Sequence, residues 1–71
     1  MSLNQITDAA ALLAIHSSYR SYGEAQTDHE TGFVLDVGQL PDGREVSVYY
    51  DLPEDHSGNW GVEFVAMAVI D

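Results

Sequence analysis

Apolar and polar residues change their rhythm along the chain. From Ser2 to Gly23 the apolar positions recur at helical spacing: Ile6, Ala9, Ala10, Leu13 and His16 fall near one line, flanked by Leu12, Ile15 and Tyr19. Asn4, Thr7, Ser18 and Ser21 lie opposite. Ser2 with Gln5 three residues later matches a capping box, and Gly23 stands where a left-handed residue would close the helix. Asp8 and Arg20 suit the two ends of its dipole. The pattern predicts a helix over about residues 3–22. Residues 23–31 then carry Glu24, Asp28 and Glu30 without any period and read as an acidic surface connection.

Beyond Thr31 the period becomes two. Phe33, Leu35 and Val37 alternate with Val34, Asp36 and Gly38, which predicts a strand over about residues 32–38 with the first set buried. In "LPDG", Pro41 presets the turn, Asp42 can bond back to the backbone and Gly43 supplies positive φ, so the chain should reverse between Leu40 and Arg44. A second strand over about 44–51 should bury Val46, Val48 and Tyr50 and expose Glu45, Ser47, Tyr49 and Asp51. After the break "LPEDHSGN", a third strand over about 60–70 starts with alternating Trp60, Val62 and Phe64. It ends apolar on both faces through Val65, Met67 and Val69, which implies an interior strand, a bulge or a subunit contact. The expected fold is α+β in the order α-β-β-β: one N-terminal helix on a three-stranded antiparallel sheet, a single domain over 1–71.

Composition narrows the choices. With 71 residues the core is only just large enough to hold a chain folded, and the absence of cysteine removes disulfides and thiolate ligands as supports. The N-terminus lacks a positive segment and its apolar residues are interrupted by polar ones, so neither a signal peptide nor a membrane span is expected. Twelve Asp and Glu face only Arg20 and Arg44, with no lysine, for a formal charge of -10. Such a surface repels nucleic acid and anionic membrane and attracts a basic partner.

The triplets Asp28-His29-Glu30 and Glu54-Asp55-His56 hold the residue types of a metal site, which would require His29 and His56 to converge; neither triplet has the spacing of a zinc-protease or EF-hand motif. His16, on the apolar helix face, reads as a buried imidazole with a hydrogen-bond partner, and Ser17 and Ser18 form no nucleophile elbow. No enzyme, cofactor or bound metal is expected. The more productive use of the acids is a display that imitates nucleic acid: Glu45, Asp51 and Glu63 on one sheet face, Asp36 near them, and Glu54 and Asp55 in the adjoining loop. Same-face residues of a strand stand roughly 7 Å apart, close to the phosphate spacing of a DNA strand. Tyr49 and Trp60 would be apolar anchors within it.

The chain from "MSLNQITDAAALLAIHSSYR" through "GREVSVYYDLPEDHSGNWGVEF" resembles the small acidic anti-CRISPR proteins of phages and mobile elements, of the kind that acts on type I systems, with type I-C as one candidate. The resemblance covers length, acidity, lack of cysteine and element order. That group shares no common motif, so it assigns no role to any single residue. It implies a non-enzymatic inhibitor, working in the cytoplasm of a bacterial host as monomer or homodimer. Such an inhibitor binds a CRISPR surveillance complex, or its large subunit, and blocks recruitment of target DNA. Two alternatives use the same features: an acidic antitoxin or immunity-type protein that neutralises a basic partner, and a small metal-binding domain built on His29 and His56.

Overall fold

The computed structural model describes residues 4–52 and 60–70. Its first element is a strand, β1 (Asn4–Ile6), followed by helix α1 (Ala9–Ser18) and by β2 (Arg20–Ser21), β3 (Gln26–Thr27), β4 (Val34–Gln39), β5 (Glu45–Tyr50), a 3-10 turn (Val62–Phe64) and β6 (Val65–Ile70). The fold is α+β: the described residues form one α-helix and a six-stranded antiparallel sheet in place of the three strands expected. The order is β1-β6-β5-β4-β2, and β3 also pairs with β4, beside β2.

The helix is less than the apolar period suggested, because both of its ends are claimed by other interactions. Gln5 and Ile6 pair with Val69 and Ala68, so the proposed capping residue Gln5 is in a strand and Ser2 lies outside the described residues. Asp8 caps the helix instead: its carboxylate accepts from Ala11 N–H at 3.0 Å. At the other end Ser17 and Ser18 donate back to the carbonyls of Leu13 and Ala14, and Tyr19 turns extended at φ -75°, ψ 150°. Arg20 and Ser21 then pair with Gln39 and Gly38. Gly23, the expected cap, has positive φ but sits in the β2–β3 connection. The expected linker over residues 23–31 therefore contains a strand of the sheet, β3, and is not a featureless acidic connection.

Running from β1 at one edge to β2 at the other, α1 crosses a single face of the sheet. Leu12 and Ile15 are its buried residues, while Leu13, expected near the centre of the apolar face, is 52% exposed. Against them lie Val46 and Val48, fully buried, with Tyr50, Leu40 and Ala68. The register orders this inner face in rows: Val34, Tyr50 and Val65; Asp36, Val48, Ala68 and Ile6; Gly38, Val46 and Ile70. Val46, Val48 and Tyr50 are thus the buried set of β5, as alternation requires. Each buried valine contributes about 1.5–3 kcal/mol.

The turn at Leu40–Arg44 is also as expected, with Gly43 at φ 96° and its N–H donating to Leu40 C=O at 2.9 Å. β6 lies between β5 and β1, and a bulge opposite Tyr49 and Tyr50 interrupts its register, so an interior position and a bulge both occur. Residues 62–64 form the 3-10 turn, so the last strand starts at Val65 and not at Trp60.

In β4 the phase is inverted. Val34, Asp36 and Gly38 face the helix, and Leu35 and Val37 face away. Gly38 shows why this phase needs its glycine: a Cβ there would run into the carbonyl of Arg20 and the ring of Tyr19. Gly38→Ala is therefore expected to lower stability by roughly 2 kcal/mol or more. In urea denaturation the midpoint should fall while the slope stays unchanged.

Candidate functional site

Asp36, one of the acids assigned to a partner, is 5% exposed and points into the protein. Its two oxygens accept from Tyr19 O–H at 2.6 Å and Ser21 O–H at 2.9 Å. Tyr19 and Tyr50 hydroxyls are 2.7 Å apart; since the Tyr19 proton goes to Asp36, Tyr50 is the donor between them. Ser21 Oγ in turn accepts from Gly23 N–H at 3.0 Å. A chain of hydrogen bonds therefore runs from Tyr50 and Gly23 to one buried carboxylate, and each link polarises the next. It joins the end of α1, edge strand β2, β4 and β5. Asp36 is a structural residue, and its place in the acidic display is withdrawn.

Burial, aided by the hydrogen bond to Asp36, pushes the Tyr19 hydroxyl well above the ordinary tyrosine value of 10.0, and burial raises Tyr50 as well. Both keep their protons in the folded chain at pH values where the unfolded chain releases them. The resulting stability is whole below pH 10 and drains as the pH climbs above it. Tyr19→Phe should cost about 1–3 kcal/mol at neutral pH, by removing a donor from a buried acceptor. It should also make the alkaline decline of stability shallower, as read from chemical denaturation between pH 7 and 11.

Trp60 is likewise part of the interior. Its ring centroid lies 5.3 Å from that of Tyr50, and its carbonyl meets His16 Nε2 at 3.0 Å. The His16 ring packs near Tyr19 and Tyr50, as a half-buried imidazole with the partner anticipated for it. Glu63 rides on the 3-10 turn, where its carboxylate folds over Gly61, and so it leaves the sheet face. Glu54, Asp55 and His56 lie outside the described residues. Among the described residues no group of three or more His, Asp or Glu could hold a metal ion. No helix among them is long and apolar enough to cross a membrane.

Of the remaining predicted residues, Glu45, Tyr49 and Asp51 share the sheet face opposite the helix. Its register gives three rows: Gln26, Leu35, Tyr49 and Met67; Val37, Ser47, Val69 and Gln5; Arg20, Gln39 and Glu45. No described element covers this face. Leu35, Val37, Tyr49 and Met67 are half-buried and Val69 among them is buried, while Glu45 is exposed at one end and Asp51, next in the alternation of β5, at the other. Those two acids are six residue steps, about 20 Å, apart along the strand. Between them stand Ser47 and Tyr49 and not a ladder of carboxylates at phosphate spacing. The face is apolar and aromatic at its centre and acidic at its margins.

Near its β2–β3 margin the face deepens into a cleft of about 270 Å³ lined by Tyr22, Glu24, Gln26, Leu35, Val37 and Glu45. Of these, sequence reasoning singled out Glu45 alone. Leu35 and Val37 were missed because β4 was read in the opposite phase, and Tyr22 because it was placed in the helix. The one available signal was Asp36: an acid within an apolar strand, three positions from Gln39 and one from Leu35, opposed to hydroxyls at Tyr19, Ser21 and Tyr50 that could receive it.

Charges elsewhere are quiet. Arg44 pairs with Asp42 at 2.7 Å, and that carboxyl is held below its usual 3.8 mainly by the Arg44 backbone N–H. No family model, curated protein or solved structure matches this chain.

Proposed function

We propose that the protein is an inhibitor that docks on a basic, nucleic-acid-binding protein through the open face of its sheet, with a type I CRISPR surveillance complex as the target. The observation that carries this reading is the face itself: Tyr49 among Leu35, Val37 and Met67, bounded by Glu45 and Asp51. Interfaces are commonly built this way, from an aromatic centre that loses its water and a polar rim that steers the encounter. The formal charge of -10 supports a basic partner, since such a chain is attracted to Lys- and Arg-rich grooves and repelled by phosphates. The resemblance to small acidic anti-CRISPR proteins supplies the candidate target, and it agrees with a protein that occupies a DNA-binding surface.

The inner-facing Asp36 and the displaced Glu63 change the mode of mimicry. Charge at the rim competes with DNA for the same basic groove, while the apolar centre grips protein. Acids and centre should therefore respond differently to salt.

A gel-shift competition tests the reading: surveillance complexes of type I systems, I-C among them, are incubated with the protein and then offered target double-stranded DNA. The expected result is loss of the DNA-shifted band with the protein bound to the complex. An unchanged shift and no bound protein would sink the reading for those complexes. Glu45→Gln combined with Asp51→Asn should weaken binding and flatten its salt dependence. Tyr49→Ala should weaken it about tenfold or more at every salt concentration, as loss of a central anchor does.

A further inference from the structure

We infer that the cleft bounded by Tyr22, Glu24, Gln26, Leu35, Val37 and Glu45 is a receptor for one arginine side chain of the partner. The inference deepens the proposed function and rests on it for the partner's basic character. Four features of the cleft fit that occupant. Its volume, about 270 Å³, falls just below the range of roughly 300–1,000 Å³ in which cofactors and drug-sized ligands are held. A single long side chain is the appropriate guest.

Leu35 and Val37, adjacent same-face residues of β4, give an apolar floor for a methylene stem. Tyr22, 50% exposed and tied by its N–H to Val37 C=O at 2.9 Å, places an aromatic ring at the wall, and such rings attract cations. Glu24 and Glu45 bring two carboxylates, and Gln26 adds an amide oxygen. Neither glutamate has an ion-pair partner among the described residues, where the pair Arg44–Asp42 is the one formed. The nearby cation Arg20 does not fill the cleft either, for it lines a separate one with Ser18, Gln39, Leu40 and Pro41.

A guanidinium uses all of these at once. It is flat enough to lie on the tyrosine ring, and its donors fork to two acceptors, whereas an ammonium is a compact, strongly hydrated point charge. The cleft should therefore prefer arginine to lysine.

The test uses the isotopically labelled full chain and two-dimensional NMR, with N-acetyl-arginine amide, N-acetyl-lysine amide and N-acetyl-leucine amide as probes. Arginine amide should produce saturable shifts confined to Tyr22, Glu24, Gln26, Leu35, Val37 and Glu45. Lysine amide should bind several-fold more weakly, and leucine amide should leave these signals in place. Glu24→Gln with Glu45→Gln, both at exposed positions, should weaken arginine amide about fivefold or more while the rest of the spectrum stays folded.

Shifts from arginine and lysine that are equal, unsaturable and spread over all acidic residues would overturn the inference, as would a double variant that binds as well as wild type. Its failure is separable from that of the broader reading. Loss of DNA competition through Tyr49→Ala, together with silence toward arginine amide, overturns the cleft alone. Arginine bound in the cleft, with no effect on any surveillance complex, supports the cleft and removes the proposed target.

Discussion

The buried carboxylate of Asp36 is the constraint on which the rest of the fold depends. A carboxylate 5% exposed, with no cation beside it among the described residues, costs several kcal/mol unless its oxygens find donors. Tyr19 and Ser21 supply them directly and Tyr50 supports Tyr19, so residues from α1's end, β2 and β5 must meet at one point on β4. That meeting stops the helix at Ser18, draws Arg20 and Ser21 to the sheet edge and requires Gly38 to lie under Tyr19. It also selects one register. Since side chains alternate along a strand, turning Asp36 inward turns Leu35 and Val37 outward.

The outward face follows from this inner one. The described residues hold one α-helix to cover the sheet, and α1 lies over the side that holds Asp36, Val48 and Ala68. Apolar residues on the other side are left to pack among themselves, with Tyr49 at the centre. Short edge strands at β1, β2 and β3 blunt the hydrogen-bonding edges of the sheet, so its broad surface is more open than its edges. The acidic rim keeps two such faces from joining readily, because copies of a chain with charge -10 repel.

The legible parts of the sequence were those where local chemistry and packing agree. Val46, Val48 and Tyr50 alternate with polar residues, and "LPDG" contains its own turn geometry, so the turn and the second strand were readable from local pattern alone. His16 was readable because an imidazole on an apolar face needs a partner. Where a distant residue decided the outcome, local pattern misled. Ile6 continues the helical period by coincidence, and the sheet claims it through Ala68. Asp36 looked like surface because carboxylates usually are, and its two hydroxyl partners, Tyr19 and Ser21, lie 17 and 15 positions away in sequence. The acidic face was consequently drawn with Asp36 and Glu63 in it, and Leu35 and Val37, which flank Tyr49 there, were assigned to the core.

Carboxylate footprinting with a carbodiimide and glycine ethyl ester, read by mass spectrometry on the free protein and on the protein bound to a type I surveillance complex, tests the central claim most directly. Binding through the open sheet face predicts protection of Glu24, Glu45 and Asp51, with Asp8 at the helix start and Asp42 in the hairpin turn labelled as in the free protein. Protection of Asp8 and Asp42 with continued labelling of Glu24, Glu45 and Asp51 would contradict it, and would move the interface to the helix side.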